Sequence, residues 1–114
     1  MHELPVTENL LEIVLRHANN SHAREITAIN IVIGEMATII DESVQFYWSI
    51  ISKGSIAENA MLNFRRVKAE MECRDCGTNY LPEKGDFSCP ECGGVSLKLK
   101  KGDEFYVESI DIET

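Results

Sequence analysis

The sequence predicts an α+β fold, an α/β two-layer arrangement of two helices on a mixed three-stranded sheet, with a projecting four-cysteine domain. Three observations point there. Apolar residues recur at helical spacing near the N-terminus. Dense β-branched or alternating runs follow at three places. All four cysteines fall within one 20-residue stretch. The 114 residues suit one compact core with a small satellite.

The first helix is expected from about Pro5. Val6, Leu10, Ile13, Val14 and His17 form an apolar stripe, widened by Leu11, Leu15 and Ala18. Asn19, Asn20 and Ser21 read as its stop. Ile26, Ile29, Ile31, Val32 and Ile33 then predict a strand over 25–34, buried on both faces. Asp41 is expected to cap a second helix carrying Val44, Tyr47, Trp48 and Ile51, with Gly54 at its end. From Ala60, Leu62 and Phe64 alternate with polar residues, while Val67, Ala69 and Met71 take the opposite parity. That switch marks either a bulge or one strand handing over to the start of the cysteine module. Phe105, Val107, Ile110 and Ile112 predict the last strand, with a second switch near Glu108. The strands at 25–34 and 60–67 are joined by a helix, so a parallel crossover fits them. The expected division is an α/β domain of 1–72 plus 103–114 and a cysteine domain of 73–102.

Charge excludes some classes. Eleven Lys and Arg face 19 Asp and Glu, a net charge of −8. A protein that grips phosphate backbones leans the other way, so nucleic acid is not an expected partner. No apolar run reaches the ~20 residues of a membrane span, and no secretory leader is visible, so a cytoplasmic location is expected. The acids are uneven. Residues 103–114 hold five and no Lys or Arg. No P-loop, dinucleotide fingerprint, zinc-protease motif or nucleophile elbow occurs, so the chain is not expected to be an enzyme.

Cys73, Cys76, Cys89 and Cys92 form two C-x-x-C pairs separated by twelve residues. Two such turns aim four thiolates at one point, which suits tetrahedral Zn²⁺. Gly77, Gly93 and Gly94 follow the pairs and let backbone N–H groups turn toward sulfur. A structural zinc-ribbon domain is the expectation. A redox pair, an iron centre and a nucleic-acid ribbon are weaker fits.

Met1-His2-Glu3 offers a second donor set. The Met1 amine, the His2 backbone nitrogen and its imidazole can close adjacent chelate rings. Glu3 can supply a fourth donor. Such a nitrogen-rich set suits Ni²⁺ or Cu²⁺ better than Zn²⁺. From spacing alone, a frayed terminus with a solvated histidine stands beside that reading. His17 is expected to be packed or at a rim, and His22 to be solvated in a turn.

Together, Met1-His2-Glu3, Ile33-Gly34-Glu35, Cys73-x-x-Cys76-Gly77, Cys89-Pro90-x-Cys92-Gly93, Gly102-Asp103-Glu104 and Ile110-Asp111-Ile112 are similar to the HypA/HybF family over essentially the whole chain. Leu4-Pro5 departs from the family's usual residues but removes no proposed ligand. The resemblance implies a nickel metallochaperone for [NiFe]-hydrogenase maturation, with some members serving urease. It implies nickel on His2, helped by Met1 and Glu3, and structural zinc on Cys73, Cys76, Cys89 and Cys92. It also implies a HypB-type nucleotide-hydrolysing partner and delivery to the hydrogenase large-subunit precursor. A second copy of the chain is a further candidate partner. The alternative function is a zinc-ribbon adaptor that docks through its ribbon and acidic sheet edge, with no nickel site.

Overall fold

The computed structural model describes residues 3–83 and 85–114. The chain runs through α1 (Glu3–Asn20), β1 (Glu25–Gly34), α2 (Asp41–Ile51), β2 (Met61–Val67), β3 (Glu70–Cys73), β4 (Asn79–Tyr80), β5 (Leu97–Lys101) and β6 (Phe105–Glu113). It divides into two compact units. One holds residues 1–32, 38–65 and 106–114; the other holds 33–37 and 66–105.

In the first unit, α1 packs against α2. Helix α1 starts two residues earlier than its apolar pattern suggests. Pro5 falls in the first turn, where its missing N–H leaves nothing unpaired that a helix would satisfy. The buried row is Glu3, Thr7, Leu10, Val14 and Ala18, spaced at the helical period. His17 lies beside that row and is exposed, at the rim rather than packed in the core. Among the bonds that close the helix, Ala23 N–H donates to the Ala18 carbonyl at 2.9 Å and His22 N–H to the Asn19 carbonyl at 3.1 Å. His22 takes φ 56°, the left-handed position that follows such a helix end.

Helix α2 begins differently from expectation. Ile40 is the capping residue and has no side-chain oxygen to offer. Asp41 is the first helical residue instead, and its carboxylate accepts from the Glu42 N–H at 3.1 Å. The carboxylate therefore still acts on the free amides and the positive end of the helix. Val44 and Trp48 are buried, while Ser52 turns back onto the Trp48 carbonyl through its N–H and its hydroxyl.

The three-stranded sheet has the order β2-β1-β6 and is mixed, as the sequence predicts. Pairings of Arg24 with Glu113 and Asn30 with Ser109 run in opposite senses, so β6 is antiparallel to β1. Ile26 pairs with Ile56 and Asn30 with Asn63 in the same sense, as a parallel crossover requires. Burial on both faces holds for Ile31, Val32 and Ile33. It does not hold for Asn30, which bridges Asn63 at 3.0 Å and Ser109 at 3.0 Å in a polar row. In β6 the half-buried residues switch parity across Glu108 and Ser109, where two successive residues are exposed.

In the second unit, the order is β4-β3-β5 with both pairings antiparallel. The parity switch after Phe64 is thus one strand handing over to another. Strand β2 belongs to one sheet and β3 to the other. Residues 33–37 are stitched into this unit. Glu35 N–H donates to the Val67 carbonyl at 2.8 Å, and Met36 N–H to the Gly102 carbonyl at 2.6 Å. The Glu35 carboxylate accepts from the Ala69 N–H at 3.2 Å.

Candidate metal centre

Two identical backbone turns build the cysteine cluster. In the first, Gly77 N–H donates to the Cys73 carbonyl at 2.8 Å, and Cys73 N–H to the Thr78 carbonyl at 2.9 Å. In the second, Gly93 N–H donates to the Cys89 carbonyl at 2.8 Å, and Cys89 N–H to the Gly94 carbonyl at 2.9 Å. Gly77 and Gly93 take φ 77° and 72°, which an L side chain adopts only with strain. The same spacing therefore folds twice into the same knuckle. Strand β3 delivers Cys73 at its end, and its register with β5 pairs Cys73 with Leu97.

The knuckles bring all four sulfurs within 4.8 Å of one another. Sγ of Cys73 lies 3.5 Å from that of Cys92, and Sγ of Cys76 lies 3.6 Å from that of Cys89. A disulfide needs about 2.0 Å, so these are thiols. Metal–sulfur bonds of about 2.3 Å place tetrahedral sulfurs about 3.8 Å apart. The observed spacing fits a tetrahedral, thiophilic ion of zinc's size.

Electrostatics separate the four cysteines. Cys73 and Cys89 are buried and Cys76 and Cys92 exposed. Thr78 favours the Cys76 thiolate through its hydroxyl, 3.2 Å from Sγ, and through its backbone, pulling the thiol down to about 6. The Gly94 N–H, 3.4 Å from Sγ, also favours the Cys92 thiolate. The adjoining sulfurs of Cys73, Cys76 and Cys89 outweigh it and push Cys92 up to about 12. Like charges crowded into one site resist joint ionisation, and a dication relieves that. Tyr80 stands nearby, its hydroxyl donating to the Phe87 carbonyl. Burial first, and the facing Cys89 and Cys73 next, hold the phenol above its ordinary range. Thr78 and Tyr80 carry no spacing signal and were not anticipated.

The N-terminal candidates are placed only in part. Met1 and His2 lie outside the described residues. Glu3 is buried at 6% exposure and opens α1, and its carbonyl accepts from the Thr7 hydroxyl. His22 is exposed, as expected of a turn residue.

No helix among the described residues is long and apolar enough to cross a membrane. Residues 1–112 match the family model described as "Hydrogenase/urease nickel incorporation, metallochaperone, hypA". The chain is 40% identical over 114 residues to a hydrogenase maturation factor HypA of Caldanaerobacter subterraneus subsp. tengcongensis, covering 99% of this chain and 100% of that one. It is 36% identical over 113 residues to one from Archaeoglobus fulgidus, covering 99% of each. Its fold is like the solution structure of the Ni metallochaperone HypA from Helicobacter pylori, at a TM-score of 0.68 and 24% identity, over 99% of this chain and 98% of that one. A second HypA solution structure gives a TM-score of 0.72 at 24% identity, over 98% of this chain and 96% of that one. The chain belongs to the HypA family of hydrogenase/urease nickel-incorporation metallochaperones.

Proposed function

We propose that this chain carries Ni²⁺ at its N-terminus and hands it on during [NiFe]-hydrogenase maturation, without catalysing a reaction itself. Met1, His2 and Glu3 supply the donors. The observation that carries this reading is the family match, which begins at residue 1 and so includes that triplet. Chelation by an amine, an amide nitrogen and an imidazole suits nickel's planar preference. Competition from protons makes retention fall below roughly pH 6, as the imidazole and amine take up protons. A carrier needs such reversibility to release its cargo.

Zinc on Cys73, Cys76, Cys89 and Cys92 is the structural partner of that site, and its chemistry is to tie the two knuckles into one folded unit. The sulfur spacing and the absence of a disulfide support it. The large-subunit precursor is the proposed recipient, urease a second one, and a HypB-type nucleotide-hydrolysing protein the proposed companion. The proposed nickel domain is 1–72 plus 103–114, and the proposed zinc domain is 73–102.

The test is a calorimetric and optical Ni²⁺ titration of protein with its native, untagged N-terminus, beside His2→Ala. Stoichiometric binding that disappears in His2→Ala, with zinc retained, is the expected result. Binding indifferent to His2, or none, overturns the nickel site and favours the adaptor.

A further inference from the structure

Strand β6 is the outermost strand of its sheet. The order β2-β1-β6 leaves one side of its nine residues without a neighbouring strand among the described residues. Such an edge presents a row of backbone N–H and C=O groups ready to pair with another chain. Beside it runs a groove of about 460 Å³, formed by Ile13, Val14 and His17 of α1 and by Val107, Ile110 and Ile112 of β6. The three β6 residues are half-buried. Their apolar surface is therefore only partly covered by the chain's own core.

Charge selects what can lie there. Strand β6 carries three acids, Glu108, Asp111 and Glu113, and no Lys or Arg. Glu108 and Glu113 reach Arg65 and Arg24, but these ion pairs are exposed and contribute little. A second copy paired on the same edge would add its own acids and bring no Lys or Arg on the pairing strand, so it supplies no charge complement. An incoming strand instead needs basic residues for the acidic rim. It needs apolar residues at alternate positions for the groove, because side chains alternate along a strand.

We propose that the β6 edge and the α1–β6 groove form a docking site for an extended segment of a partner protein in which basic and valine-sized residues alternate, bound by strand addition. Main-chain bonds supply affinity in this mode and alternate side chains supply specificity. The site uses none of the nickel donors, so it stands or falls independently of the nickel titration.

The probe is a synthetic peptide matching the nine residues of β6 in length and alternating lysine with valine. Two controls accompany it: a glutamate–valine analogue, and a peptide of the same lysine and valine content arranged in two blocks. Binding to the full chain is read by fluorescence anisotropy and located by amide hydrogen exchange. The alternating peptide is expected to bind at least about tenfold tighter than either control, and to slow exchange in β6. Ile110→Asp is expected to weaken it about tenfold. Should that variant fail to fold, Asp111→Lys reverses an exposed charge and is expected to weaken binding several-fold. Equal binding of the block peptide, protection away from β6, or sedimentation showing a dimer that protects β6 overturns the proposal.

Discussion

A Cβ built on Gly34 would lie 2.1 Å from the carbonyl carbon and oxygen of Gly102 and 2.6 Å from the Asp103 nitrogen. All three contacts are backbone, so no side chain can swing aside. The crossing is also pinned. Gly34 N–H donates to the Glu104 carbonyl at 2.7 Å, and the Glu35 and Met36 amides that follow are tied to the Val67 and Gly102 carbonyls. Gly34→Ala must break one of these bonds or bend the chain, and overpacking of this kind costs about 3 kcal/mol or more. Urea unfolding with an unchanged slope should show that loss as a lower midpoint. A loss under about 1 kcal/mol would show that the crossing relaxes easily. The sequence displays Ile33-Gly34-Glu35 but not the reason for its glycine, because Gly102 is remote along the chain. The cysteine knuckles were legible because their chemistry is local. Four residues between paired backbone groups, with glycine at the turn, define each one.

At the scale of elements, periodicity read the helices and the central strand correctly because each buries an apolar stripe. It failed where other forces define the element. Strands β3, β4 and β5 were not foreseen. They are short, and knuckle bonds and a shared register hold them rather than an apolar repeat. The start of α2 was misassigned by one residue because Asp41 serves the free amides from inside the helix. Within α2, Trp48 shows what the stripe contributes. It is 1% exposed, and among the described residues its buried indole N–H has no hydrogen-bond partner. An orphaned donor of this kind costs roughly 1–3 kcal/mol. Trp48→Phe removes that donor while keeping most of the ring, so the two effects offset and stability should change by less than about 1.5 kcal/mol. Trp48→Ala leaves the cavity uncompensated and should cost about 3–5 kcal/mol. Urea titrations followed by far-ultraviolet circular dichroism can compare the two, since the only tryptophan is lost in both. Equal losses would mean that the indole edge, rather than the ring volume, carries the packing.

For the whole molecule, the division into two units gives metal loss a defined consequence. The unit of residues 1–32, 38–65 and 106–114 has its own apolar core in Leu10, Val14, Ile26, Ile29, Val44 and Trp48. The unit of 33–37 and 66–105 buries far less, and two of its few fully covered side chains are Cys73 and Cys89. With so little core, this segment is expected to depend on the ion proposed for its four sulfurs; structural zinc supplies on the order of 10 kcal/mol to such folds. Protons compete for the same sulfurs. The protein groups alone set Cys76 at about 6 and Cys92 at about 12, so binding at neutral pH must displace the Cys92 proton. Metal affinity therefore rises with pH and falls as acid is added. Cys76, with the lower value, should be the later of the two to protonate, below about pH 6. Amide hydrogen exchange of the full chain across a pH series, with and without a strong chelator, reads both units at once. Stripping the ion should release protection across 66–105 while α1 and α2 keep theirs. Protection retained in 66–105 would show that its backbone bonds suffice without metal. Simultaneous loss in the helices would show that the two units fold as a single cooperative body.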